Sequence, residues 1–158
     1  PYYLAYKSAQ FGHYPDLILA GRKINDNMSM FVANKILKKM IENDIDIENS
    51  KILILGITFK ENCSDIRNTK IIDVINEFKA FNSLVYVCDP VADADEVKKE
   101  FNIDLMPLNK INMINFDVLI RLVGHDNFNQ IDYNNLISNK SIAFDIKNEL
   151  QGNNILSF

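Results

Sequence analysis

The 158-residue sequence predicts an α/β domain, a doubly wound parallel sheet of Rossmann-like form, preceded by a helical segment. Three observations lead there. Short runs that are apolar throughout, at 52–55, 84–88 and 118–123, alternate with stretches of helical periodicity, and strands lacking polar positions belong to parallel sheets covered on both faces. One long amphipathic stripe lies upstream of all of them. The polar segment NDIDIENS, 43–50, separates the two patterns and has the composition of a linker, dividing the chain into a helical part, 1–48, and an α/β domain, 49–158.

A first short helix is expected over 2–10, closed by Gly12 and the Tyr14-Pro15 break. The long helix carries Ile24, Met28, Phe31, Val32, Ile36, Leu37, Met40 and Ile41 on one face. Lys23, Asn27, Asn34, Lys35, Lys38, Lys39 and Glu42 take the other, over about five turns. Two such helices cannot bury their stripes on each other alone, so both the following domain and a second chain are expected to cover them. Beyond the linker, strand 52–55 leads to a helix with Ile71, Ile72, Ile75 and Phe78 on one face, and strand 84–88 to a helix holding Val97 and Phe101. A strand at 103–106, a short helix after Pro107, strand 118–123, a helix around 133–137 and a strand at 142–144 complete the order. Right-handed crossovers bring the carboxyl ends of these strands to one edge, and ligands of such sheets bind there. The loops opening at Gly56, Asp89, Gly124 and Asp145 are therefore the candidate site.

Composition narrows the class. With 47% hydrophobic and 24% charged residues the chain has the makeup of a globular domain. No apolar run reaches the roughly 18 to 20 residues a membrane span needs, and the start has no leader pattern, so a cytoplasmic protein with no membrane partner is expected. A net charge of -4 argues against nucleic acid as partner but leaves room for a small anion held by local cations. Cys63 and Cys88 have no metal-ligand spacing and are read as reduced thiols; no metal is expected. Asn is abundant, which we read as genome composition rather than function.

The segment GITFKENCSDIRNTK, 56–70, comes directly after the first strand, where a dinucleotide fold turns its backbone around a pyrophosphate. Such a turn needs three spaced glycines, and Gly56 stands alone, so NAD binding in the ordinary Rossmann manner is not expected here. Lys60 and Arg67 can grip an anionic group, with Phe59 covering an apolar or planar one. Equally, Arg67 can pair with Asp65 or Glu61 while Phe59 fills the core. The residues by themselves leave both readings open.

The stretch LGITFKENCSDIRNTKIIDVI, 55–75, resembles the opening of the C-terminal, UDP-binding domain of the UDP-glucose/GDP-mannose dehydrogenase family: strand, Gly, Phe-Lys, an acidic residue, then Arg before a helix. Its Glu61-Asn62-Cys63 variant with Asp65 and Arg67-Asn68 is most similar to the branch that oxidises UDP-N-acetylhexosamines, UDP-N-acetylgalactosamine among them. AGRKINDNM at 20–28 resembles the start of the family's dimer-building central helix, PYYL at 1–4 the segment directly after its catalytic-cysteine loop, and DVLIRLVGHDNF and FDIKNEL its later strands. The resemblance implies the back part of an NAD-dependent UDP-sugar 6-dehydrogenase of polysaccharide precursor synthesis, with a UDP-sugar as ligand and a homodimer formed through the 20–42 helix. It implies substrate contacts from Phe59 and Lys60, and a cofactor-facing role for Arg67. It also places Lys147 where the family often has Arg, near the substrate. The glycine-rich NAD loop and the nucleophilic Cys and Asp are expected upstream of Pro1, on the N-terminal domain that binds most of the NAD; no catalytic residue is expected in this chain, which alone should be inactive. A stand-alone nucleotide-binding module and a non-catalytic dimerisation domain are the competing readings.

Other residues have plainer expectations. Cys63 is read as a loop residue rather than a nucleophile, and Gly124-His125-Asp126 as the cap of the next helix rather than an acid–base pair. Asp89-Pro90 is read as a helix start. Arg121, inside an apolar run, must find a partner. Arg22 and Asn25 are candidate substrate contacts near the domain junction, with polar groups of an interface as the alternative.

Overall fold

The computed structural model describes residues 2–150 and 155–156. Helix α1 (Tyr2–Gln10) is followed by α2 (Asp16–Glu42), which is longer at its start than the apolar stripe alone suggests. Apolar burial anchors the second half of α2: Val32, Ile36, Leu37 and Met40 are buried against the α/β body, each aliphatic side chain contributing about 1.5–3 kcal/mol. Ile24, Met28, Phe31 and Ile41, predicted for the same face, are exposed. Polar contacts hold the first half. Asp26 accepts from the Tyr2 hydroxyl at 2.9 Å and pairs with Lys70 at 3.2 Å, while the Ser29 hydroxyl donates to the Lys70 carbonyl at 3.0 Å. No helix among the described residues is long and apolar enough to cross a membrane.

Strands β1 (Lys51–Leu55), β2 (Leu84–Cys88), β3 (Phe116–Arg121), β4 (Ile137–Asp145) and β5 (Ile155–Leu156) form one parallel sheet in the order β2-β1-β3-β4-β5. Alternate residues of the apolar runs face opposite ways. Ile52, Ile54, Val118, Ile120, Ile142 and Phe144 pack with α2, α3 (Ile71–Ala80) and Val97 of α4 (Ala94–Phe101). Leu53, Leu55, Leu119 and Ala143 pack with Ile111, Phe128 and Leu136 on the other face. That second face is covered by short helices of 3-10 form, Leu108–Met113, Asp126–Gln130 and Tyr133–Asn135; the first is the short helix expected after Pro107, and the third is shorter than the helix expected around 133–137. The strand expected at 103–106 reduces to a single bridge between Leu105 and Val87. β4 starts earlier than its apolar residues, because a register shift after Phe116 is held by the Ser141 hydroxyl donating to the Phe116 carbonyl at 2.8 Å.

Asn has a conformational role that a compositional reading overlooks. Asn49, Asn62, Asn68, Asn82, Asn102 and Asn148 all have positive φ, a backbone region open mainly to Gly, Asn and Asp, and the chain has only 5 glycines. Two of these residues, Asn62 and Asn68, shape the loop after β1.

That loop begins at Gly56, whose φ is +91° and whose Cβ would lie 2.4 Å from the Val123 Cβ. Its amide donates to the Cys88 carbonyl at 2.9 Å. The next two amides, Ile57 and Thr58, point at an anion, and the anion is internal: Asp89 Oδ2 accepts from both, at 2.7 and 3.1 Å. Asp89 Oδ1 takes the amides of Val91 and Ala92 at 2.9 and 3.0 Å. Asp89 therefore ties two loops together and does not start a helix; α4 begins later, capped by Asp93, whose Oδ1 accepts from Glu96 N at 2.9 Å.

His125, fully buried, completes the network instead of capping. The Asn62 amide donates to Nδ1 at 2.9 Å, which fixes the ring proton on Nε2. That nitrogen lies 3.0 Å from Thr58 Oγ1 and 3.1 Å from Asp89 Oδ2, and the Thr58 hydroxyl donates onward to the Lys60 carbonyl at 3.1 Å. His125 holds the N-cap position of the turn Asp126–Gln130, yet its side chain makes no capping bond there. Burial works to raise the Asp89 carboxyl, but the bonds from His125 and from the Ile57, Val91 and Ala92 amides outweigh it and hold the group at about 2.

Gly56→Ala should cost about 2–4 kcal/mol in urea unfolding, combining positive-φ strain with the clash against Val123. Asp89 should shape the acid limb of stability. Its folded pKa is depressed, so its contribution, on the order of 2 kcal/mol, is complete above about pH 4 and fades as pH falls toward 2. Asp89→Asn should lower stability at pH 7 and flatten the loss between about pH 4 and 2; an unchanged acid limb would show that the carboxylate is not held this way.

Candidate functional site

In this strand order the chain reverses direction across the sheet between β1 and β3, and the crevice outside their carboxyl ends is where such folds bind ligands. The loops after these two strands meet there. Phe59 leaves the β1 loop with 61% of its surface exposed and faces Leu122 and Val123, just past the end of β3. It is therefore not a core residue. Two clefts open here, sharing Phe59, Leu122 and Val123 in their walls.

The smaller cleft, about 460 Å³, is lined further by Lys60, Glu61, Ile146 and Lys147. Lys147 comes from the loop after β4, shaped by a second strand-end carboxylate: Asp145 accepts from Lys147 N at 3.0 Å, Glu149 N at 2.8 Å and Leu150 N at 3.0 Å. Lys147 Nζ forms an ion pair with Glu61, whose hydrogen bond raises the ammonium's pKa. Lys60 is exposed and makes no ion pair among the described residues. Arg121, buried, pairs with Asp145 at 3.6 Å and Glu149 at 2.7 Å, while its Nε is buried without a hydrogen-bond partner.

The larger cleft, about 700 Å³, runs between α2 and the α/β body. Arg22, Asn25, Thr58, Asn68 and Lys70 line it with Phe59. The Arg22 guanidinium lies 4.2 Å from the centre of the Tyr2 ring, and its Nε is buried without a hydrogen-bond partner. A ligand acceptor would satisfy that donor.

The structure thus brings Phe59, Lys60, Lys147, Arg22 and Asn25 onto the walls of two adjoining clefts. Arg67 lines neither. It forms a two-pronged pair with Asp65, Nε to Oδ1 at 2.9 Å and Nη2 to Oδ2 at 2.8 Å, with its side chain 81% exposed; the fork holds Asp65 at about 2. Cys63 is half-buried, and Cys88 is buried, which pushes its thiol up to about 12. Sequence reasoning missed Glu61 as a cleft residue and the inward roles of Asp89 and His125. Each is a polar residue in a loop after an apolar strand, a position that marks it as near the crevice without showing what it touches.

Comparison with known proteins agrees with the geometry. Residues 53–152 match the UDP binding domain of the UDP-glucose/GDP-mannose dehydrogenase family. A UDP-N-acetyl-D-glucosamine 6-dehydrogenase from Salmonella typhi is 44% identical over 93% of this chain and 35% of its own length. Protein CapL of Staphylococcus aureus is 42% identical over 93% of the chain and 35% of its own length. The chain therefore spans about a third of the length of these relatives. In fold, a UDP-glucose dehydrogenase from Pyrobaculum islandicum superposes with a TM-score of 0.71 at 17% identity, over 90% of this chain and 31% of that one. A parallel sheet with its crevice at the β1–β3 reversal, a Gly-Ile-Thr-Phe-Lys turn at that crevice and a match spanning nearly the whole sheet lead to one conclusion: the chain belongs to the UDP-glucose/GDP-mannose dehydrogenase family.

Proposed function

We propose that this chain is the nucleotide-sugar-binding portion of an NAD-dependent UDP-sugar 6-dehydrogenase, with a UDP-N-acetylhexosamine as the substrate class. The observation that carries the proposal is the pair of clefts meeting at Phe59, with Lys60 and Lys147 in one and Arg22 and Asn25 in the other. A nucleotide sugar has that division: a dianionic diphosphate for the ammonium groups, and hydroxyl and amide groups for the guanidinium and carboxamide. Phe59 offers an exposed ring against which a planar or apolar part of the ligand packs.

Converting a primary alcohol to a carboxylate removes two hydrides in succession, and NAD accepts them when bound. The turn after β1 does not fit that cofactor in the Rossmann manner, because the amides after Gly56 are already occupied by Asp89. This chain's part is to hold the sugar still. Binding energy from the remote diphosphate and base fixes the position of the reacting carbon, an entropic advantage in both steps. Neither cysteine is placed to attack: Cys88 is buried with a raised pKa, and Cys63 lines neither cleft. Alone, the chain binds without oxidising. Arg67, fixed by Asp65 yet exposed, is available to a cofactor carried on an N-terminal domain. The uncovered apolar residues Ile24 and Met28 of α2 support a homodimer through the 20–42 helix.

Isothermal calorimetry tests the binding claim. UDP should bind, and Lys60→Ala should weaken it about tenfold to a hundredfold, the worth of one charge-assisted bond. Lys99→Ala on α4 should leave binding unchanged; no detectable UDP binding by the parent protein, or full affinity in Lys60→Ala, would refute the assignment. In sedimentation, a dimer dissociated by Ile24→Glu with Met28→Glu is expected, and a monomeric parent protein would remove the dimer from the account.

A further inference from the structure

The smaller cleft contains an anion of the protein's own. Glu61, from the β1 loop, reaches across to Lys147, from the β4 loop, and the pair closes over Gly124 at the end of β3. A Cβ at Gly124 would sit 3.2 Å from Glu61 Oε1 and 3.3 Å from Lys147 Cγ, so the two side chains rest directly on that bare backbone. Lys60, one residue before Glu61, shares the cleft without an ion-pair partner among the described residues. We propose that Glu61 is a resident counter-anion that sets affinity and charge selectivity at this site, holding Lys147 until the ligand's diphosphate displaces it.

The inference rests on the nucleotide-sugar reading above and adds a residue with a definite sign. An anion bound between Lys60 and Lys147 competes with the Glu61 carboxylate for the same ammonium group and is repelled by it. Both side chains of the pair keep about two-fifths of their surface exposed, 43% for Lys147 and 39% for Glu61, so solvent weakens the pair enough for a ligand to break it. A buried pair would not exchange partners in this way. Glu61 thus lowers affinity for every anionic ligand, and most for the ligand with the most charge. UDP, with its terminal phosphate free, carries more negative charge than a UDP-sugar, whose diphosphate is capped at both ends. Glu61 consequently favours the capped nucleotide over the bare one.

The experiment is calorimetry on the whole chain with UDP and with UDP-N-acetylglucosamine at low and at high salt. Glu61→Gln should lower the Kd for UDP by about twofold to tenfold, the range set by one exposed ion pair, and lower it less for the UDP-sugar. The gain should shrink at high salt, where such charges are screened. In a Lys147→Met background the same substitution should gain less, since the competition is then gone. An unchanged or raised Kd in Glu61→Gln would overturn the inference, as would an equal gain with and without Lys147. If the parent protein binds UDP and Lys60→Ala loses it while Glu61→Gln has no effect, the nucleotide-sugar reading stands and only this inference falls. Failure of the parent protein to bind either nucleotide removes both.

Discussion

The Asp89 carboxylate is the interaction on which the rest of this site depends. In a dinucleotide fold the amides after the first strand are left open for a phosphate; here Ile57 and Thr58 donate to a carboxylate from the end of β2, and His125 from the β3 loop closes the arrangement. Three loops from three strands are thereby fixed to one buried anion. A phosphate about 4 Å from that carboxylate would meet a repulsion of about 4 kcal/mol per unit charge at an effective dielectric near 20. The turn amides are consequently closed to a phosphate, and the cationic groups at the crevice are side chains.

The lysines take over at the rim, and each is mounted on a loop whose backbone is held from below. Lys60 lies just past Thr58, whose hydroxyl spans His125 and the Lys60 carbonyl. Lys147 lies just past Asp145, which gathers three amides of its own loop and pairs with buried Arg121. The same device appears at the ends of two strands: an aspartate satisfies backbone donors inside, and a lysine on a loop it braces lines the cleft outside. Lysine in place of arginine at 147 supplies charge without a planar fork, in keeping with a contact that exchanges between Glu61 and a diphosphate.

Much of this is legible in the sequence. The apolar runs at 52–55, 84–88 and 118–123 show their strands because burial on both faces leaves Arg121 as their single charged position. Phe59 and Lys60 are legible from a local motif. The β4 start is not, since its first residues include Ser138 to Ser141, a polar run held in the sheet by hydroxyl bonds rather than by burial. Nor are the roles of Asp89 and His125, which come from elements far apart in sequence and act by hydrogen bonding across loops, a relation without periodicity. The division of the α2 stripe between the α/β body and the residues left exposed is not legible for a related reason: a helical stripe shows which residues are apolar, and only a packed neighbour decides which of them are covered.

A crystal structure of the protein with UDP bound tests the central claim most directly. The account predicts diphosphate oxygens within hydrogen-bonding distance of Lys60 Nζ, with the Ile57 and Thr58 amides still donating to Asp89. A phosphate seated on those two amides, with the Asp89 carboxylate turned away, would contradict it.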